Sequence, residues 1–263
     1  MVVTNINFRN EVDNMRLIVF DNQKDIANFG ADMIAEVINN NPCAVLGLAT
    51  GSTPVPMYAE LVRRYEAGEL DFSTVRSVNL DEYYPLAPDN DQSYRYFMNH
   101  QLFDHINIDK NNTNVPDGLA ADPAAACAAY EEIIRDLGGI DIQVLGIGGN
   151  GHIGFNEPAE ALDPLTHLTD LTEDTIRANA RFFESEADVP RHALTMGIGT
   201  ILSARRILLI ATGEAKAKAI ATVLSGKLTT SCPASLLNLH SDVTILCDRA
   251  AVSLCDPSLL ATL

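Results

Sequence analysis

The chain has 263 residues, 47% hydrophobic and 20% charged, enough for a large core without disulfides or a structural metal and too apolar for intrinsic disorder. Its 18 basic and 35 acidic side chains leave a net charge of -17. That charge argues against nucleic-acid and anionic-membrane partners, which need a basic face, yet leaves room for a small anion bound by a few local donors.

Leu17–Phe20 reads as a short apolar strand. Ile26, Ala27, Ile34, Val37 and Ile38 recur at helical spacing over 22–39, and Asn-Asn-Asn-Pro at 39–42 stops the helix. Ala44–Ala49 is a buried strand, and a helix over 55–67 follows with Gly68 as its C-terminal cap. Val75–Leu80 is the next strand and ends in Asp81-Glu82-Tyr83. Helices are predicted over 91–104 and 122–137, the second closed by Gly138-Gly139. Ile142–Ile147 is a central strand that runs into a glycine-rich loop. The stretch 158–180 is polar and weakly periodic. Ile207–Ala211 is a strand, Gly213 opens a helix reaching about 225, and Val243–Cys247 is the last clear strand.

This βαβα order, with apolar strands that do not alternate, predicts an α/β fold: a doubly wound, mostly parallel, Rossmann-like sheet flanked by helices. No linker divides the chain, so residues 1–263 read as a single domain, with 1–14 as a possible N-terminal extension. Ligands of such sheets sit beyond the carboxyl ends of the strands. That rule selects the loops 50–54, 81–85, 148–157 and 212–216.

The cysteines are Cys43, Cys127, Cys232, Cys247 and Cys255. Their odd number and scattered spacing predict reduced thiols rather than disulfides or a zinc knuckle. The histidines outside the glycine-rich loop have no metal-ligand spacing, so no metal is expected. Cys232 precedes Pro233, and without a neighbouring base it reads as a buried structural thiol. The first residues carry no signal-peptide pattern, and no 18-residue apolar run occurs. A cytoplasmic protein is expected.

Four groups carry chemistry. Thr50-Gly51-Ser52-Thr53-Pro54 joins a strand to a helix, where free N–H groups and hydroxyls suit a phosphate; the same residues also suit an ordinary capped turn. Asp81 and Glu82 could supply a general base at a strand end or form an exposed acidic turn. Gly148-Gly149-Asn150-Gly151-His152-Ile153-Gly154-Phe155-Asn156-Glu157-Pro158 surrounds one histidine with four glycines. Histidine is the side chain suited to moving protons near neutral pH, and Asn150 and Glu157 are placed to orient His152; the alternative is a structural histidine. Arg181 and Lys216 are candidate phosphate clamps or ordinary surface cations.

From about Met15 to about Leu254 the sequence resembles the glucosamine-6-phosphate deaminase family. The residues that carry the resemblance are Leu46–Pro54, Asn79–Tyr83, the Gly148–Pro158 loop and Arg181-Phe182-Phe183. It implies conversion of glucosamine 6-phosphate and water to fructose 6-phosphate and ammonia, without a cofactor. It implies further that Gly51, Ser52, Thr53, Arg181 and Lys216 hold the phosphate. His152, assisted by Asn150 and Glu157, would open the sugar ring, and Asp81 would move the C2 proton to C1 through an enolamine. Asn150 stands where some members carry Asp, which shifts the relay onto Glu157 and His152. Some members are hexamers activated by N-acetylglucosamine 6-phosphate through basic residues after Glu-Pro. Here 160–169 holds neither Arg nor Lys, and the longer C-terminal tail of those members is missing. A non-allosteric monomer or small homo-oligomer is expected, with 158–185 as a lid. Two other readings remain: a 6-phosphogluconolactonase, whose relatives carry a different stretch after the histidine, and a non-catalytic sugar-phosphate sensor, which would have lost the catalytic acids.

Overall fold

The computed structural model describes residues 2–6, 15–180, 183 and 185–256. In chain order its elements are β1 (Val2–Ile6), β2 (Met15–Phe20), α1 (Gln23–Asn40), β3 (Val45–Leu48), α2 (Val55–Glu66), β4 (Arg76–Asn79), β5 (Asp81–Tyr84), α3 (Tyr94–Gln101), β6 (Thr113–Asn114), α4 (Pro123–Asp136), β7 (Ile142–Leu145), β8 (His167–Asp170), α5 (Glu173–Asn179), β9 (His192–Thr195), α6 (Ile198–Leu202), β10 (Ile207–Ala211), α7 (Ala217–Leu224) and β11 (Val243–Asp248). Short 3-10 turns fill several connections.

Eight strands form one sheet in the order β1-β2-β11-β10-β7-β3-β4-β6. Every ladder is parallel except the edge pair β1–β2. The N-terminal residues 2–6 therefore add an antiparallel edge strand. The central strands are buried throughout, as in β10 (Ile207, Leu208, Leu209, Ile210, Ala211). That is why their sequences run apolar without alternation: helices cover both faces. α1 starts where Asn22 Oδ1 accepts from the Asp25 N–H at 2.9 Å and buries Ile26, Ile34, Val37 and Ile38. α4 starts at Asp122, which caps Ala124 and Ala125, with Pro123 in its first turn.

The strand order fixes where a ligand can bind. From β3 the chain moves outward to β4 and β6, then returns to lay β7 on the other side of β3. β3 and β7 flank the point where the winding reverses, so the loops that follow them diverge and leave a crevice. Both strands approach closely at Gly47, paired with Gln143, where any Cβ would meet the Gln143 side chain.

A second, three-stranded antiparallel sheet, β5-β9-β8, has its own apolar cluster of Tyr83, Phe155, Leu171, Ile176, Val189 and Ala193. Here the structure departs from the sequence reading. The predicted strand 75–80 and the acids after it belong to different sheets, and Leu80 is the crossover. Its N–H donates to Leu48 O at 3.0 Å in the large sheet, while its carbonyl accepts from the Met196 N–H at 2.8 Å beside the small one. The helix predicted over 91–104 ends at Gln101, and a 3-10 turn continues at Phe103–His105. The polar stretch 158–180 contains β8 and α5, both too short for a periodic signature.

Candidate active site

The turn after β3 is set by Tyr58, whose buried hydroxyl donates to Ala49 O at 2.6 Å and accepts from the Ala49 N–H at 3.2 Å. Gly51 then takes φ +89°, a left-handed conformation that glycine adopts without strain. The capped-turn alternative does not form. Pro54 holds the N-cap position of α2, and among the described residues no side chain caps the helix. The hydroxyls of Ser52 and Thr53 are therefore not spent on the first turn.

After β7 the chain folds into a tight loop. The Gly148 N–H donates to His152 O at 2.9 Å, and the Gly151 N–H to Gly148 O at 3.0 Å. The imidazole of His152 lies directly on the Gly148 Cα, where a Cβ would overlap the ring. Two anchors hold the loop from outside. Asn156, buried, donates through Nδ2 to Ile153 O at 2.9 Å and Met196 O at 2.8 Å. Gly151 O accepts from the Ala234 N–H at 2.8 Å, and the buried Cys232 side chain packs against Gly151. Cys232 is thus a packing residue, and burial raises its thiol pKa.

His152 Nδ1 stands 3.1 Å from Glu157 Oε1. Asn150 completes the group: its Nδ2 donates to Glu157 Oε2 at 2.6 Å, and its Oδ1 accepts from the His152 N–H at 3.1 Å. Burial alone would raise Glu157. The nearby His152 imidazole, with the Thr175 and Asn150 donors, outweighs it and holds the carboxyl below its ordinary range. The carboxylate lies beside Nδ1 without closing a hydrogen bond to it, and Nε2 is left as the nitrogen for a substrate.

Asp81 enters from β5. Its cross-strand partner in β9 is Thr195, whose Oγ1 accepts from the Phe155 N–H at 3.1 Å. The small sheet thereby fixes Asp81 relative to the histidine loop. Asp81 is 6% exposed, and burial pushes its pKa up to about 8, with the neighbouring Glu82 charge adding to the shift.

These loops enclose a cleft of about 360 Å³. Gly51, Ser52, Thr53, Asp81, His152 and Lys216 all line it, and Asn150 and Glu157 stand behind His152. Lys216 follows Gly213 at the end of β10, where Asp248 accepts from the Gly213 N–H at 2.9 Å and shapes the turn. Burial lowers the Lys216 pKa. Arg181 lies outside the described residues. The sequence reading missed Tyr94 and Thr175, which also line the cleft. Tyr94 stacks on Phe155 with centroids 6.1 Å apart and planes 7° from parallel. A local signal existed for Thr175: Thr172, three residues earlier, is the N-cap of α5. Tyr83 is buried among aromatic rings, and Tyr84 donates to Ala120 O at 3.1 Å.

The chain is similar to known proteins over most of its length. The family model for Glucosamine-6-phosphate isomerases/6-phosphogluconolactonase matches residues 21–246. A glucosamine-6-phosphate deaminase of Clostridium perfringens (strain 13 / Type A) is 59% identical over 240 residues, covering 91% of this chain and 99% of its own. The solved structure of a monomeric glucosamine-6-phosphate deaminase superposes with a TM-score of 0.88 at 46% identity, covering 90% of this chain and 99% of its own. A 6-phosphogluconolactonase from Trypanosoma cruzi reaches a TM-score of 0.73 at 20% identity, covering 90% of this chain and 95% of its own, a likeness of fold alone.

Proposed function

Because the chain belongs to the glucosamine-6-phosphate isomerase/6-phosphogluconolactonase family, we propose that it converts glucosamine 6-phosphate and water to fructose 6-phosphate and ammonia, a step of amino-sugar breakdown in the cytoplasm. The observation that carries this reading is the pairing, in one cleft, of a buried carboxyl, Asp81, with an imidazole backed by a carboxylate, His152 with Glu157. Deamination of an aldose needs both: one group to open the ring, another to carry a proton between two carbons.

In this scheme Gly51, Ser52, Thr53 and Lys216 bind the phosphate, with Arg181 as a further clamp. His152 moves the proton that opens the pyranose, oriented by Glu157 and Asn150. Asp81 takes the proton from C2 of the open chain, giving an enolamine, and returns it to C1. The resulting imine at C2 adds water and releases ammonia. The reaction is thus an isomerisation completed by hydrolysis, and no metal or redox cofactor enters it. Proton transfer by a positioned group contributes typically 10²–10⁴-fold, and the phosphate anchor supplies orientation.

The monomeric relative supports a monomer or small homo-oligomer. The stretch 160–169 offers neither Arg nor Lys to an activating phosphate, and Glu160 would repel one. Hyperbolic kinetics are expected, and sigmoidal kinetics relieved by N-acetylglucosamine 6-phosphate would overturn that part of the reading.

The test is to incubate the protein with glucosamine 6-phosphate and quantify ammonia and fructose 6-phosphate together, with Asp81→Asn in parallel. Equimolar products from the unmodified protein and near-complete loss in the variant support the scheme. Absence of product refutes it. An assay for lactone hydrolysis and a binding titration then separate a lactonase from a sensor.

A further inference from the structure

We propose that Thr175 is a positioning residue that fastens α5 to the catalytic loop and directs a proton onto Glu157. This rests on the deaminase reading. The Thr175 hydroxyl donates to Glu157 Oε1 at 2.7 Å, the oxygen that faces His152 Nδ1 at 3.1 Å. α5 and the loop are 18 positions apart at this contact.

A threonine within a helix ordinarily turns its hydroxyl back to the carbonyl three or four residues earlier. Thr175 does not. Thr172 Oγ1 donates to Thr175 Oγ1 at 3.0 Å and accepts from the Thr175 N–H at 3.2 Å. A hydroxyl has one proton. With its lone pair receiving the Thr172 proton, Thr175 commits its own to Glu157. The N-cap of α5 therefore sets the direction of a two-hydroxyl chain that ends on the carboxylate behind the catalytic imidazole.

The consequence concerns a shared oxygen. Glu157 Oε2 is occupied by Asn150, so Oε1 alone faces His152 Nδ1 while it accepts from Thr175. Among the described residues, the titratable group acting on Glu157 is His152, and the other two donors are neutral. Removing the Thr175 hydroxyl leaves Glu157 with one neutral donor and frees its carboxyl to rotate. It then holds a proton to higher pH and orients His152 less well. Thr175 also lines the cleft, so this bond links the wall of the substrate site to the ring-opening machinery.

The experiment compares Thr175→Val, which keeps shape and removes the hydroxyl, with Thr175→Ser, which keeps the hydroxyl. Steady-state deamination is measured at pH 9, above the titration of Asp81, and the Glu157 carboxyl is followed separately by carbon NMR. In Thr175→Val, kcat is expected to fall about tenfold, KM to change little, and the Glu157 titration to move up by about one pH unit, the scale of one hydrogen bond to a carboxylate. Thr175→Ser is expected to restore both. Unchanged kcat and Glu157 titration in Thr175→Val overturn the proposal. So does a lower rate with an unmoved Glu157 titration, the mark of a merely structural role. If the unmodified protein has no deaminase activity, the functional reading has failed instead. The carbon NMR titration of Glu157 in the unmodified protein and Thr175→Val then stands alone, and an unshifted titration overturns the positioning role by itself.

Discussion

Asp81 and Glu82 are consecutive residues of one strand that face opposite surroundings. Asp81 opens onto the cleft. Glu82 turns the other way and closes the start of α3: its Oε1 accepts from the Tyr83 and Tyr94 N–H groups, and its Oε2 from the Arg95 N–H, all at 2.9 Å. Strand geometry sends neighbouring side chains to opposite faces. It thereby separates two adjacent carboxyls into a candidate base and a helix cap.

The raised pKa of Asp81 has a signature in rate and in stability. A base must be ionised, so kcat/KM of the free enzyme should climb with pH and level off above about 8. The stability runs the other way. Between its ordinary value of 3.8 and about 8, the folded protein holds a proton that the unfolded chain has released. The resulting stabilisation is complete below 3.8 and is lost as pH rises through about 8. Asp81→Asn should therefore abolish turnover yet raise Tm at pH 8–9, by roughly 4–8 °C for a gain of ~2 kcal/mol. Calorimetry at pH 5 and pH 9 checks it; a variant less stable at pH 9 would contradict the buried carboxyl.

Glu82→Gln tests the division of labour. An amide has one acceptor oxygen where the carboxylate has two, so at least one of the three N–H groups loses its partner. A destabilisation of about 1–3 kcal/mol is expected. Burial raises Glu82 to about 7, and three backbone donors hold it down from a higher value. Its charge in turn contributes to the raised pKa of Asp81. The variant should therefore move the limb of kcat/KM to lower pH while losing stability in urea.

Gly148→Ala should cost rate without costing the fold. The added methyl would occupy the place of the His152 imidazole, and the ring must swing away from Glu157. A fall in kcat of ~10²-fold or more is expected, the scale of one displaced acid–base group. An unchanged Tm and a nearly unchanged KM would identify the loss as one of ring placement. Full activity would mean that His152 does not need the position it holds.

Lys216→Met should act on binding. Lys216 is a cation drawn into the cleft, its pKa lowered by burial. Losing a charge-assisted contact to phosphate should raise KM by roughly 10–100-fold. Inorganic phosphate, as a competitive inhibitor, should weaken in parallel. A normal phosphate inhibition constant would remove Lys216 from the anion site.

Much of this protein is determined by local sequence. Parallel strands such as Ile207–Ala211 are buried on both faces, so they must be apolar throughout. The helix signals at Asn22, Asp122 and Pro123 act within a turn of where they stand. The glycines around His152 mark a loop where backbone and side chain nearly touch. These effects are short in range, and they suffice for the fold class and for His152, Asp81 and the Gly51 turn as candidates. Tertiary structure decided the rest. Nothing near Leu80 announces that the chain leaves one sheet for another, because the crossover is set by bonds to Leu48 and Met196. The opposite fates of Asp81 and Glu82 depend on a helix that begins at Tyr94. Thr175 joins the site through a hydrogen bond across 18 positions of sequence. Such contacts carry no periodicity and no local composition; they exist only once the sheet has brought distant loops to one crevice.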